Sequence, residues 1–136
     1  MRLAPPAPAL YAGFGCRQGC PADTLQALLR GALAAHGLAP ALLRGIASID
    51  LKANEPGLQE LARRLALPLV LFSPAQLHAF EPQLSHRSAT TFQHSGCWGV
   101  AESAALALAS QAQGPAALRV TRQVLGPATL ALASGG

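Results

Sequence analysis

The chain has 136 residues, 51% apolar and 12% charged, which suits one domain with a real core and excludes a disordered chain. Ten Lys and Arg against six Asp and Glu leave a formal charge of +4. The basic residues form no run and have no interleaved aromatics, so composition argues against nucleic acid as a partner and favours small acidic ligands.

Residues 3–8 read as a Pro/Ala-rich lead-in, and Ala9–Ala12 as a first buried strand that ends at a glycine loop. From Leu25 the apolar positions Leu25, Leu28, Leu29, Ala32, Leu33 and His36 trace one helix face, and Gly37 ends it. A second strand is expected over Leu43–Ile49, running into the loop from Asp50 to Gly57. Glu55-Pro56 opens the next helix, with Leu58, Leu61, Ala62 and Leu65 inward. Pro68–Phe72 is a short continuous apolar strand of the kind buried on both faces in a parallel sheet. Ser73-Pro74 then caps a short helix reaching to about Phe80. The stretch 81–95 is polar, with His86 and His94, and one short strand is expected near Ala89–Phe92. Ser95-Gly-Cys-Trp-Gly99 is a second glycine turn entering a helix from Val100 to about Ser110. After a loop over Gln111–Pro115, Leu118–Leu125 and Thr129–Ala133 predict a hairpin about Gly126-Pro127.

This order predicts an α/β fold: a single three-layer domain over 1–136, with a mixed, mostly parallel sheet, helices on both faces and a C-terminal hairpin. In such sheets ligands gather at the carboxyl ends of the parallel strands. The 13–19 loop, the 50–57 loop, Ser73 and the 95–102 turn are therefore expected on one edge. Leu65–Phe72, the longest apolar run, is too short to cross a membrane and contains Pro68. Three irregularly spaced cysteines give no disulfide framework and point to a reducing, cytoplasmic compartment.

The stretch from Gly13 to Gly19 carries the most chemistry. Gly13, Gly15 and Gly19 can take positive φ or let a ligand approach the backbone. A helix starting near Pro21 turns its first N–H groups toward that loop, and Arg17 adds a guanidinium; together they suit a carboxylate or phosphate. A dinucleotide reading fails, because the third glycine of G-x-G-x-x-G would fall at Gln18, and no Walker lysine follows. Cys16 and Cys20 are one residue too far apart for a CxxC, and His94 with Cys97 is a lone pair, so no metal is expected. No cofactor is expected either.

Gly13-Phe-Gly-Cys-Arg-Gln-Gly19, Ala47-Ser-Ile-Asp-Leu-Lys52, Glu55-Pro-Gly57 with Leu58, Leu67-Pro68 with Phe72-Ser73, and Gly99-Val-Ala-Glu102 follow one another in order. Over nearly its whole length the chain thereby resembles the family of cobalamin-biosynthesis proteins formed by CobE and the C-terminal domain of CbiG. As one domain it resembles the free-standing members more than the larger ones. The resemblance implies a cytoplasmic α/β domain acting on precorrin intermediates. It implies either intermediate handling in the aerobic route or, as in CbiG-type proteins, opening of a precorrin lactone. Cys20, Cys97 and Trp98 depart from the family's pattern and are poor candidates for shared chemistry.

A precorrin is a flat macrocycle edged by carboxylates, so its binder needs cationic donors around an apolar surface. Arg17 and Lys52 supply the donors, with Gly13, Gly15, Cys16, Gly19, Ser73, Gly99 and Glu102 as further binding candidates. Arg17 either contacts the ligand or tethers its loop to Asp50 or Glu102. Cys16, just before a helix start and beside Arg17, is in a setting that lowers a thiol pKa; it is either a nucleophile or a small buried residue. Asp50 or Glu55 could act as general base with Lys52 stabilising an oxyanion, or the three form an ion-paired turn. Glu102 either complements its helix dipole or orients Arg17 or Lys52. Other enzymes of the cobalamin pathway are possible partners.

Overall fold

The computed structural model describes residues 9–95 and 97–135, with the side chains of His94 and Ser95 outside that description. The lead-in over 3–8, the suggested His94 ligand and Gly96 of the second glycine turn thus lie outside the described residues.

Strand β1 (Leu10–Cys16) is followed by α1 (Ala22–Ala35), β2 (Leu43–Ile49), α2 (Pro56–Leu65), β3 (Leu69–Phe72) and α3 (Pro74–His78). Then come α4 (Ala89–Ser95), α5 (Val100–Gln113), β4 (Ala116–Leu125) and β5 (Ala128–Gly135). The sheet order is β3-β2-β1-β5-β4. The β1/β2 and β2/β3 pairs are parallel, and β5 runs antiparallel to both β1 and β4. The sheet is therefore mixed and carries the expected C-terminal hairpin. Its second strand lies inside because Leu130 and Leu132 face one core while Ala131 and Ala133 face the other. β4, which exposes alternate residues, forms the rim.

The two faces are covered differently. On one, Leu25, Leu28, Leu29 and Leu33 of α1 with Leu58 and Leu61 of α2 pack on Leu10, Phe14, Ile46, Leu130 and Leu132. Each such burial stabilises by about 1.5–3 kcal/mol relative to exposure. On the other, α5 lays Ala101, Ala104 and Ala105 against Tyr11, Ala47, Ala131 and Ala133. The thin side chains let helix and sheet backbones meet: a Cβ on Gly13 would overlap the Ala101 carbonyl oxygen and the Ala105 amide nitrogen.

Three local expectations change. β1 continues through Cys16, so Gly13 and Gly15 are strand residues and not part of a loop. The strand expected at Ala89–Phe92 is the helix α4, because the Ser88 hydroxyl accepts from the Thr91 amide (3.1 Å) and starts a helix. Thr90, Thr91 and Phe92 carry strand propensity, and the Ser88 cap overrides it. His36 is exposed and does not pack; its Nδ1–H donates to the Ala32 carbonyl (2.9 Å) at the end of α1, beyond which Gly37 has φ +64°.

Candidate ligand-binding site

The carboxyl ends of β1, β2 and β3 form one edge, and the anticipated loops converge there. The Arg17 amide donates to the Pro127 carbonyl (3.0 Å), joining the β1 end to the hairpin turn. Val100, at the start of α5, lies beside Gly15. The Cys97 thiol reaches the Pro74 carbonyl just past β3 (3.8 Å). Burial raises the Cys97 pKa, with the nearby carboxylates of Glu81 and Asp50 adding to the shift.

The turn after β1 is closed by the Cys20 amide donating to the Arg17 carbonyl (3.1 Å), with Gly19 at φ +82°, a geometry that favours glycine. The Gly19 amide donates to Glu55 Oε1 (2.8 Å). The carboxylate this turn binds is thus the protein's own. Glu55 is only 5% exposed, and one of its carboxylate oxygens anchors this turn. A groove of about 410 Å³ opens beside it between the first turns of α1 and α2, lined among others by Asp23, Glu55, Glu60 and Arg64. Arg64 pairs with Asp23 (2.7 Å) and Glu60 (3.1 Å). The start of α1 thus opens onto mixed acidic and basic side chains.

Cys16 is half-buried, and its thiol is pushed up to about 11 by burial; Lys52 opposes the shift, while Glu55 and Cys20 add to it. It is protonated at neutral pH, against the expectation of a lowered pKa. The helix start whose dipole would favour a thiolate lies six positions further on, at Ala22.

Gly13 is buried under α5, so its missing side chain serves packing and leaves no room for a ligand. At Gly15 a Cβ would lie 2.6 Å from the Thr129 hydroxyl, which gives that glycine a packing reason too. Ser73 caps α3: its hydroxyl accepts from the Gln76 amide (3.2 Å), and Gln76 Oε1 accepts from the Ser73 amide (2.8 Å). Gly99 precedes α5 and packs against Leu84 and the His86 carbonyl. Glu102 is 1% exposed and accepts from the amides of Ser85 (2.8 Å), His86 (3.2 Å) and Arg122 (3.0 Å) and from the Ser85 hydroxyl. Among the described residues its carboxylate makes no hydrogen bond or ion pair with Arg17 or Lys52.

Arg17 is exposed, and among the described residues its guanidinium makes no ion pair, so it is not tethered to Asp50 or Glu102. Lys52 is half-buried near Cys16, and Asp50 is exposed beside it. Composition gave no hint of what surrounds them. Among the described residues the exposed large apolar ones are Leu51, Phe92, Val124 and Leu125. Leu51 follows β2, and Val124 and Leu125 end β4, whose Leu125 pairs with Ala128, itself opposite Cys16. Phe92 stacks on Trp98 (centroids 4.5 Å apart, 22° between planes), two residues before α5. Cationic and apolar groups therefore share this edge.

These elements define a three-layer α/β domain with a mixed sheet and its polar chemistry collected at the carboxyl edge. The family described as Cobalamin synthesis G C-terminus matches residues 10–133, and the chain belongs to it. It is 38% identical over 126 residues to Protein CobE of Sinorhizobium sp, covering 89% of this chain and 82% of that one. A crystal structure of CobE, described as a protein from the cobalamin (vitamin B12) biosynthetic pathway, superposes with a TM-score of 0.88 at 45% identity, covering 94% and 93% of the two chains. The Cobalt-precorrin-5A hydrolase of Priestia megaterium is 31% identical over 97 residues, 71% of this chain but 25% of the hydrolase. The chain is a cobalamin-biosynthesis protein. Among the described residues no helix is long and apolar enough to cross a membrane.

Proposed function

We propose that the protein binds a precorrin-type polycarboxylate tetrapyrrole at the carboxyl edge of its sheet and handles it as an intermediate of the aerobic cobalamin route. The observation that carries this reading is the edge Arg17 and Lys52 share with exposed Leu51, Val124, Leu125 and Phe92, the last stacked on Trp98; among the described residues neither cation makes an ion pair. A flat macrocycle needs apolar contact for its faces and charge-assisted donors for its carboxylates, and this edge offers both. The whole chain acts as one domain, in the cytoplasm, where the three free cysteines stay reduced. Other enzymes of the pathway would deliver and receive the ligand.

Titration of the purified protein with pathway precorrins, followed by absorption spectra and product analysis, tests the reading. The expected result is a spectral shift without a new product. Arg17→Ala should weaken binding by roughly tenfold, as loss of a charge-assisted hydrogen bond does, with the thermal midpoint unmoved. Equal losses in binding and folding would reduce Arg17 to a loop support. A lactone-opened product would instead favour a hydrolase, with exposed Asp50 and half-buried Lys52 as its candidate groups.

A further inference from the structure

Glu102 joins two segments that are far apart in the chain. From one side its carboxylate accepts from the Ser85 amide, the His86 amide and the Ser85 hydroxyl. From the other it accepts from the Arg122 amide, where β4 slips register against β5 between Val120 and Gln123. A buried carboxylate costs several kcal/mol unless it is hydrogen-bonded, so the four donors offset a penalty that an apolar contact would never incur. The arrangement supplies fixed geometry more than stability.

What the two segments carry gives that geometry a use. Ser85 and His86 lead into the stretch whose Ser88 amide donates to the Trp98 carbonyl (2.8 Å) and whose Phe92 stacks on Trp98. Arg122 stands two residues before exposed Val124 and Leu125. The β1 end with Arg17 is hydrogen-bonded to the hairpin turn that follows Val124 and Leu125.

We infer that Glu102 is a positioning residue: it sets the spacing between the Phe92–Trp98 wall and Val124 on the rim of β4, which pairs with Thr129 on the α5 face, and thereby how well the edge accepts a flat macrocycle. The inference rests on the reading of this edge as a tetrapyrrole site. Glu102 touches no ligand itself and acts through the Ser85–His86 loop and the slipped rim of β4.

The test uses uroporphyrin, a stable flat macrocycle edged with carboxylates, titrated into the full chain well below its thermal midpoint. Trp98, the one tryptophan in the sequence, reports the wall directly. Glu102→Gln should weaken uroporphyrin binding by roughly tenfold, because the apolar wall is no longer preorganised, and should shift Trp98 emission. Leu28→Ala, in the core beneath the opposite face, should lower the midpoint as much and leave both affinity and emission unchanged. Ser85→Ala, which keeps all three backbone donors, should show the same losses in smaller degree and serves if Glu102→Gln does not fold. Folded Glu102 and Ser85 variants that bind as the native chain does would overturn the positioning role. Failure of the native chain itself to bind uroporphyrin would overturn the site reading and this inference with it, an outcome distinct from the first.

Discussion

The two faces of the sheet solve the same packing problem with different side chains. Under α1 and α2 the core is made of leucines, which fill volume and keep helix and sheet axes apart. Under α5 it is made largely of alanines, and the helix backbone reaches Gly13 of β1. A leucine core has slack, because neighbours collapse partly around a lost side chain. A backbone-to-backbone contact has none. The difference changes the meaning of the glycine-rich stretch: its first glycine belongs to the scaffold, and only the turn at Gly19 belongs to the edge.

The largest effect should come from putting that contrast to the test. Gly13→Ala should cost about 3 kcal/mol or more, the upper range for overpacking, and leave little folded protein, since the new methyl meets backbone atoms of α5. Leu61→Ala on the other face should cost about 2–5 kcal/mol and still fold. Urea denaturation of the pair measures both, and a Gly13→Ala chain of native stability would break the comparison.

A smaller effect is expected where the leucine face meets the edge. Glu55→Gln turns a charged acceptor for the Gly19 amide into a neutral one and should cost about 1 kcal/mol. Hydrogen exchange at the Gly19 amide should accelerate while amides inside α5 keep their protection. Uniform acceleration would mean that Glu55 supports the whole fold and not this turn.

At neutral pH the titration of Cys16 is silent, and its effect shows only as a pH dependence. The Cys16 thiol has its pKa raised from 9.0 to about 11, so between those values the unfolded chain releases a proton that the folded chain keeps. Its contribution to stability is whole below pH 9 and is lost as pH rises toward about 11. Cys16→Ser should flatten that alkaline slope, and alkylation of native Cys16 near pH 8 should lag behind that of an exposed thiol. Rapid alkylation at neutral pH would restore a thiolate to the site.

Much of the fold was legible because its signals are local. Leu25, Leu28, Leu29, Ala32 and Leu33 mark α1 by period alone, Pro56 marks the start of α2, and Gly126-Pro127 marks the hairpin turn. The ordered motifs around Gly13–Gly19, Ala47–Lys52 and Gly99–Glu102 likewise identified the family, because they stand in the sequence itself. Ser88 shows the limit of local signals: as a helix cap it outweighed the strand propensity of the residues after it.

The rest was decided by the tertiary structure. Glu55 meets Gly19 across 36 positions, and Glu102 meets Ser85 across 17. The site of each meeting depends on the order of the strands and on which helix lies on which face. The same order buries Gly13 under α5, lifts the thiol pKa of Cys16, and leaves Leu51, Val124, Leu125 and Phe92 uncovered at one edge. Helix period and turn chemistry are set by neighbours a few residues apart, whereas burial and hydrogen-bond partnership are set by what else arrives at the same point in space.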